Sequence, residues 1–305
     1  MKRRRHLALD YLAYLGVRLV VCIAQALSIE QSYAFARLLA AVLYRVDARH
    51  RKVGLENLRL AFGDRFTEAE RDRIVRGVYL HFCTMMMEMV HIPRKLFLTT
   101  WRGRVRLVGH EPILDRFLKG GPLILLSGHF GNWEMAGYLF GLFGFPPHSI
   151  YRPLDNPYLD RFLRDFRGRT GQRLIPKTGG SSQMIDVLDS GGILGFLADQ
   201  DAGQRGLFVE FFGRPASTHK AIALLAIEHR APVVVGYARR VGPGFHYEVG
   251  CADLIDPDEL TGTADDARLI TQRFTTALEK VIRLDPEQYL WLHRRWKHQP
   301  RSGKN

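Results

Sequence analysis

Residues 123–134 read LILLSGHFGNWE, and this stretch decides the class of fold. Its first half is a short run without charge, which is typical of a strand buried on both faces of a parallel sheet. Its second half places four residues between His129 and Glu134. Because five positions turn an α-helix by about 140° beyond one full turn, these side chains cannot share a face of one continuous helix. The stretch therefore predicts a strand, a turn that holds His129, and a helix that begins near Trp133.

Residue preferences support a helix start directly after this turn. Gly131 permits a sharp change of direction, and Asn132 is a good N-cap. A carboxylate in the first helical turn is favoured by the helix dipole and can reach back toward the imidazole. We therefore predict a catalytic pair in which Glu134 orients the ring and His129 acts as general base. The alternative is an ordinary strand-end histidine and an ordinary first-turn glutamate.

Beyond residue 101, apolar runs alternate with amphipathic segments, which predicts an α/β fold with a mixed central sheet flanked by helices. We expect a basic tail and a hydrophobic membrane-anchoring helix over residues 1–29. Residues 30–305 are expected to form a single domain, with a helical part over 30–100 and an α/β part over 101–305. The predicted strands are 123–127, 149–152, 193–198, 233–238 and 246–249, and the predicted helices are 133–140, 157–170, 181–189, 216–228 and 265–282.

The N-terminal segment combines a basic tail, residues 2–6, with a nearly uncharged apolar stretch over 11–29. The stretch is about long enough to cross the hydrocarbon core of a bilayer. A cleaved signal peptide and a simple transmembrane span are two alternatives, and Arg18 within the stretch argues against the first. We prefer a helix that lies partly in the leaflet, or that spans with its tail outside, with Arg18 reaching lipid headgroups.

The net charge indicates the class of binding partner, and the absence of common motifs argues against several classes of enzyme. The formal net charge of +13 implies an anionic partner, and the lack of zinc-finger or RNA-binding motifs argues against nucleic acid. Three scattered cysteines predict neither a disulfide framework nor a metal site. The chain has no P-loop, no Gly-x-Gly-x-x-Gly, no Gly-x-Ser-x-Gly and no His-Glu-x-x-His. Ser127 is an alternative nucleophile for a covalent route.

Five further short motifs accompany the His-x4-Glu turn. The turn resembles the His-x4-Asp/Glu motif of the glycerolipid acyltransferase superfamily, and the further motifs resemble its lipid A late acyltransferase branch. The resemblance runs in order from about Asp47 to Pro300. The five motifs are YRP at 151–153, RGR at 167–169, DQD at 199–201, FFG at 211–213 followed by Thr218, and EQYLWLHRRWK at 287–297.

This resemblance implies an enzyme that moves a fatty acyl group from acyl carrier protein to a hydroxyl of a lipid A precursor or a similar anionic glycolipid. His129 would take the hydroxyl proton, and backbone N–H groups near Trp133, or Arg152 or Arg167, would stabilise the oxyanion. No cofactor or metal is implied, since acyl carrier protein or acyl-CoA serves as co-substrate. The resemblance also implies residence at the cytoplasmic face of the inner membrane.

Substrate binding is assigned partly by the same resemblance. Arg152 and Arg167 occupy positions associated with substrate binding or catalysis, and Arg matches phosphate or carboxylate bidentately. Asp199 and Gln200 follow a predicted strand at the carboxyl end where α/β sheets bind ligands, and we expect them to contact the acceptor. With Asp201 they also look like ligands for a divalent metal, which this chemistry does not require. The basic, tryptophan-containing segment 291–304 predicts a surface for membrane or carrier protein.

Two other functions remain open on sequence. One is a related acyltransferase that uses acyl-CoA and modifies another lipid, such as phosphatidylinositol mannoside. The other is a basic membrane-surface binding protein without catalysis, against which the intact pair of His129 and Glu134 argues.

Overall fold

A computed structural model of the protein describes residues 7–260, 262–263 and 265–300. The basic tail 2–6, Arg301 and Lys304 lie outside the described residues. Capping boxes at Ser28 and Thr67 start two of the N-terminal helices. These helices are α1 (Leu7–Ala26), α2 (Ile29–Val46), α3 (Ala48–Phe62) and α4 (Glu68–Lys95).

Strands and helices then alternate through the rest of the chain, as the sequence predicts. The helices are α5 (Glu111–Lys119), α6 (Trp133–Leu142), α7 (Pro157–Arg167), α8 (Ser181–Asp189), α9 (Ala221–Glu228) and α10 (Asp266–Leu284). The strands are β1 (Val105–Val108), β2 (Leu123–Ser127), β3 (His148–Tyr151), β4 (Arg173–Pro176), β5 (Ile193–Leu197), β6 (Leu207–Phe211), β7 (Arg214–Thr218), β8 (Val233–Arg240) and β9 (Tyr247–Ile255).

Seven strands form one sheet in the order β1-β9-β8-β2-β5-β3-β4, and β6 pairs with β7 in a separate hairpin. Neighbours in the large sheet run parallel except β8 and β9, which run antiparallel. The predicted mixed sheet flanked by helices is therefore confirmed. The carboxyl ends of the central strands β2 and β5 lie side by side, and this edge carries the site described below.

The sequence analysis missed β1, β4, β6 and β7, and it wrongly placed residues 216–218 in a helix. Strands β1 and β4 lie at the two edges of the sheet, where alternating polar residues weaken the apolar signal. The hairpin of β6 and β7 turns at Phe212 and Gly213, both with positive φ. Two such residues are typical of a tight hairpin, but Phe-Gly is not a usual sequence for one.

The apolar run of β2 is buried from both sides of the sheet. Ile124 and Leu126 are at most 1% exposed and pack in a cluster with residues of α9 and α10. Leu123 and Leu125 pack on the opposite face against Ile113 of α5. Because successive side chains of a strand point to opposite faces, a strand covered on both faces must be apolar at every position.

The helical region packs onto the α/β part through the C-terminal segment. Trp291 is 1% exposed and lies in one apolar cluster with residues of α2, α3 and α4. Asn57 of α3 donates hydrogen bonds of 2.6 Å to the carbonyls of Trp291 and His293. Trp296 and Arg295 are also buried. The prediction that segment 291–304 forms a surface is therefore wrong for these residues, because the two indole rings complete the core and Arg295 bonds to Ser217 and Thr218 inside it.

Helix α1 is the one helix in the described ranges that is long and apolar enough to cross a membrane, and most of it is exposed. Arg18 donates to the hydroxyl of Tyr14, and its guanidinium lies 5.3 Å from the ring centre of Phe162 in α7. Arg18 is nevertheless exposed, and its contact with lipid headgroups stays a prediction. The aromatic rings hold the cation through a cation–π attraction, against the body of the protein.

Candidate active site

The turn after β2 is fixed by backbone contacts that only glycine permits at its centre. Gly131 has a φ of 60°, and a Cβ there would lie 1.9 Å from the carbonyl oxygen of Ala238. Its N–H donates to the carbonyl of Gln288 at 2.9 Å. The Asn132 side chain accepts from the N–H of Met135 at 3.0 Å. Asn132 is thus the N-cap of α6, as predicted, and His129 precedes the helix.

His129 is paired with Asp199. Its Nδ1 lies 2.7 Å from Oδ1 of Asp199, and its backbone N–H donates to Oδ2 at 2.8 Å. Because β2 and β5 are parallel neighbours, their carboxyl ends bring these two residues together across 70 positions of sequence. A ring that donates through Nδ1 presents the Nε2 lone pair, and no group in the described chain hydrogen-bonds to that Nε2. The pair therefore has the form of a general base and its orienting carboxylate.

The Glu134 carboxylate faces Arg167, so the prediction that Glu134 orients the imidazole is wrong. Nε of Arg167 donates to Oε2 at 2.9 Å, and Nη2 donates to Oε1 at 2.5 Å. The indole N–H of Trp133 also donates to Oε1, at 3.1 Å. A guanidinium fork matches both oxygens of a carboxylate, which explains why Arg167 is preferred to a single ring nitrogen. The carboxylate still lies near enough to favour the protonated form of His129 by its charge.

Opposing effects set the protonation of the pair. Burial disfavours the charged imidazole, but the charge and hydrogen bond of Asp199 outweigh burial and raise the pKa of His129 above its ordinary value. Burial also opposes ionisation of Asp199, yet the attraction and hydrogen bonds of His129 hold the pKa of that carboxyl below its usual range. The imidazole therefore takes up a proton more readily than a free histidine would.

The structure gives Asp199 a different partner from the one expected. Asp199 is 5% exposed and both of its oxygens bond to His129, which leaves it little access to an acceptor. Asp201 bonds instead to Nδ1 of His298, at 2.6 Å. Since the two acids face different histidines, they do not form a shared metal site, and no such cluster occurs within the described ranges. Gln200 is half-buried beside them, and its contact with substrate stays a prediction.

The predicted arginines divide into paired and unpaired ones. Arg167 is bound to Glu134, and Nε of Arg164 lies 3.3 Å from Oδ2 of Asp160. Arg152 is exposed directly after β3, and no carboxylate of the described chain lies within 4 Å of it. Arg152 therefore remains available to an anionic ligand, as its predicted role requires.

A buried polar network, which was not predicted from the sequence, hydrogen-bonds to Gly131 and Asn132 of the turn. Glu88 of α4 is fully buried and accepts from Arg240, at 2.6 and 3.0 Å, and from the Asn132 side chain at 3.3 Å. Arg240 also donates to Nδ1 of His81, whose Nε2 donates to the carbonyl of Gly131 at 3.0 Å. Burial lowers the pKa of His81 to about 3, so the ring is neutral. The available signal was the seven-residue spacing of His81 and Glu88, which places both on one helix face.

An apolar cavity of about 210 Å³ lies between the sheet and helices α5 and α6, beside the catalytic turn. Trp133, Glu134 and Arg167 line it, and the Trp133 ring centre lies 5.0 Å from that of His129. Gly236 of β8 also lines it, where an added Cβ would meet only the carbonyl of Gly250, at 3.6 Å. Further walls come from apolar side chains, among them Ile113, Leu114, Phe117, Leu125, Phe140 and Val234.

The family model for bacterial lipid A biosynthesis acyltransferases matches residues 1–298. The chain belongs to this family. It is 27% identical over 297 residues to the lipid A biosynthesis lauroyltransferase of Escherichia coli, covering 95% of this chain and 92% of the relative. It is 26% identical over 257 residues to the E. coli lipid A biosynthesis palmitoleoyltransferase, covering 83% of this chain and 80% of the relative. A phosphatidylinositol mannoside acyltransferase of Mycobacterium tuberculosis is 27% identical over 205 residues, covering 63% and 60%.

Family membership confirms the resemblance to lipid A acyltransferases, and it identifies the protein as an enzyme that transfers acyl groups. The alternative of a binding protein without catalysis is therefore excluded. Within the acyltransferase, three separate motifs meet at the edge of the sheet. His129 comes from the His-x4-Glu turn, Asp199 from the DQD motif and Arg167 from the RGR motif.

Proposed function

We propose that this protein transfers a fatty acyl group from the thioester of an acyl carrier protein to a hydroxyl of a lipid A precursor or a similar anionic glycolipid. The observation that carries the proposal is the pair of His129 and Asp199 beside an apolar cavity, in a chain of this family. The relative named for lipid A lauroyl transfer matches 95% of the chain, whereas the relative named for phosphatidylinositol mannoside matches 63%. The broader match favours a lipid A precursor as acceptor.

Acyl transfer begins with removal of a proton from the acceptor hydroxyl. Nε2 of His129 takes this proton as the alkoxide oxygen forms its bond to the thioester carbonyl carbon. Asp199 stabilises the imidazolium that results, because its carboxylate bonds to Nδ1 inside a buried site. When the tetrahedral intermediate collapses, the carbon–sulfur bond breaks and the thiolate leaves. Proton transfer from His129 to the sulfur restores the neutral base.

The developing oxyanion needs positive partners near Trp133. The first N–H groups of α6 have no acceptor within the helix, and a helix N-terminus favours negative charge. Arg167 adds a guanidinium at the same place. Glu134 holds Arg167 through two hydrogen bonds, so its proposed contribution is to position this cation rather than the imidazole.

The apolar cavity is proposed to hold the acyl chain of the donor. Its walls are mostly aliphatic and aromatic, and Glu134 and Arg167 are its charged lining residues, beside which we place the thioester carbonyl. Burial of an alkyl chain there supplies binding energy of about 0.8 kcal/mol per methylene group. Water is kept from the thioester by the same walls, which favours transfer to the acceptor over hydrolysis.

The net charge supports the proposed acyl donor, and helix α1 supports the proposed location at a membrane. The net charge of +13 suits an acidic carrier protein, and acyl-CoA is the alternative donor. Carrier-bound acyl groups are cytoplasmic, so we place the catalytic domain on the cytoplasmic face of the inner membrane. The exposed apolar surface of α1 supports anchoring there.

A transfer assay with purified protein, both thioester donors and a lipid A precursor tests the proposal, with mass spectrometry of the lipid product. We expect His129→Ala to lower kcat by about 10²–10⁴-fold, the contribution typical of a positioned base. Glu134→Ala should also abolish most turnover, because it frees Arg167. The control His246→Ala changes an exposed histidine outside the site and should leave kcat unchanged. A fully active His129→Ala enzyme would refute the assigned base.

A further inference from the structure

We propose that Arg152, Lys177 and His219, with Arg295 behind them, form a binding site for a phosphate group of the substrate. This inference rests on the proposed function and deepens it, because it names the chemistry by which an anionic substrate is held beside the catalytic base. Some cations near the site have a carboxylate partner and others have none, and the unpaired ones can bind an anion.

The cations that the sequence motifs emphasise are largely neutralised. Arg167 forms two hydrogen bonds to Glu134, and Arg164 pairs with Asp160. A cation that already shares its charge with a carboxylate gains less from a further anion than an unpaired cation does. Recognition of an anionic acceptor therefore has to come from other residues at this edge of the sheet.

Two unpaired cations follow neighbouring parallel strands. Arg152 follows β3 and Lys177 follows β4, and Tyr151 stands in register with Pro176. The Lys177 N–H donates to the carbonyl of Tyr151 at 2.8 Å, which extends this pairing to the residues concerned. Both side chains are exposed, and neither has a carboxylate within 4 Å in the part of the chain that the structure describes. They lie at the same carboxyl edge as His129, where α/β sheets bind their ligands.

His219 adds a neutral donor to this pair of cations. It follows β7, and its Nε2 lies 3.2 Å from Nζ of Lys177. Burial and the positive charges of Lys177 and Arg295 lower the pKa of His219 to about 4, so the ring is neutral at working pH. Because Nε2 accepts from Lys177, the ring carries its proton on Nδ1 and can donate it to a ligand.

Arg295 contributes a buried charge without a direct ion pair, and the carboxylates of Asp199 and Asp201 act on it only from a distance. It is 2% exposed, and its guanidinium donates to the carbonyl of Ser217 at 2.5 Å and to the hydroxyl of Thr218 at 2.6 Å. These partners directly precede His219. No carboxylate lies within 4 Å of Arg295 among the described residues, and its buried Nε has no hydrogen-bond partner. A buried cation without a direct ion pair is costly, and an anion bound at His219 would offset part of that cost.

Phosphate is the anion that suits this set of groups. A phosphate monoester carries a charge of about −1.5 to −2 and three acceptor oxygens, whereas a carboxylate carries one charge and two oxygens. Arg152, Lys177 and His219 supply three separate donors from three strand ends. The phosphate could be a monoester of the glycolipid acceptor or the phosphodiester of the donor's pantetheine arm, which carries a single charge, and the experiment separates these sources.

The test compares wild type with Lys177→Ala, the conservative Lys177→Arg and the control Lys280→Ala, all as full-length protein in detergent. Lys280 is exposed on α10, so its variant removes the same charge elsewhere. We would measure kcat/KM for a bisphosphorylated lipid A precursor and for the same lipid after phosphatase treatment. We would also compare an acyl-phosphopantetheine with the same acyl-pantetheine without its phosphate, so that the two donors differ by that group alone. Binding of both lipids in micelles gives a readout that does not need turnover.

We expect Lys177→Ala to lower the preference for the phosphorylated acceptor by about tenfold or more, the effect of one charge-assisted hydrogen bond. Lys177→Arg should restore most of it, and Lys280→Ala should leave it unchanged. If Lys177→Ala loses only the preference for the donor that carries the phosphate, the site binds the phosphate of the pantetheine arm. Unchanged preferences for both substrates and unchanged lipid binding overturn the site. A wild type that binds the phosphorylated lipid better than Lys177→Ala but transfers no acyl group refutes the proposed function alone.

Discussion

Replacing Asp199 with asparagine is the sharpest probe of the catalytic pair. The carboxylate is buried and accepts two hydrogen bonds from His129, one from the ring and one from the backbone. Asparagine keeps the size of the side chain but has one oxygen for these two donors, and it carries no charge. The substitution therefore removes stabilisation of the imidazolium and permits the wrong ring tautomer.

The size of the effect follows from the geometry of the pair. With the two charges separated by about 4 Å and an effective dielectric constant of about 20, their attraction amounts to about 4 kcal/mol. Each 1.36 kcal/mol is a factor of ten in rate, so we expect Asp199→Asn to lower kcat by about 10³-fold. Folding should persist, because the amide still fills the site and retains one of the two hydrogen bonds.

The pH profile distinguishes this effect from a general disturbance of the site. In the wild type, burial opposes the charged imidazole but Asp199 outweighs it and raises the pKa of His129, so we expect activity to be lost as the pH falls through that pKa. Without the carboxylate charge, burial lowers the pKa of His129, so the acid limb should move to lower pH while the plateau falls. The assay is kcat and kcat/KM across the pH range.

Asp201→Asn is the matched control for this experiment. Asp201 belongs to the same motif, but it bonds to His298 and not to His129. Its variant should leave the acid limb in place and lower kcat by less than about tenfold. The reasoning is refuted if Asp199→Asn keeps more than a tenth of wild-type kcat, or if its acid limb moves to higher pH.

Three further outcomes follow from the surroundings of the pair. Glu88→Gln leaves the buried Arg240 without its counter-charge, so we expect the free energy of unfolding in urea to fall by about 3–5 kcal/mol. The same variant should have a lower kcat at unchanged KM. A variant as stable as wild type would contradict the role given to this network. Arg167→Lys loses the bidentate contact with Glu134, so we expect kcat in the same transfer assay to fall at least about tenfold. Equal activity would show that a point charge at this position suffices. Gly236→Leu places a side chain in the apolar cavity and should shift the preference toward donors with shorter acyl chains. A series of acyl carrier protein thioesters of increasing chain length measures this preference. An unchanged preference would mean that the acyl chain lies elsewhere.

Prediction from sequence succeeded where the signal is local. The strand Leu123–Ser127 and the start of α6 at Trp133 were predicted correctly, because a doubly buried strand must be apolar throughout and because Asn132 caps the helix through its own side chain. Edge strand β4 was missed, since it is covered less completely and its residues alternate. The turn at Gly131 was predicted, but its contact with Ala238 depends on β8, which lies more than a hundred residues later.

The partners of the site residues required the fold. Sequence placed Glu134 next to His129 because the two are close along the chain, and a helix start can bring them near each other. The structure pairs Glu134 with Arg167 and His129 with Asp199, because parallel strands deliver side chains from distant motifs to one edge. No spacing rule connects residues 129 and 199, so their hydrogen bond could not be read from the sequence.

Short-range patterns of polarity and conformation are enough to predict the alternation of strands and helices, the family, the turn that holds His129 and the apolar N-terminal helix. The carboxylate that bonds to the imidazole, the arginines that keep an unpaired charge and the burial of Trp291 emerge only in the folded chain. Charge pairing and burial depend on distances in space, and the order of strands in the sheet sets these distances.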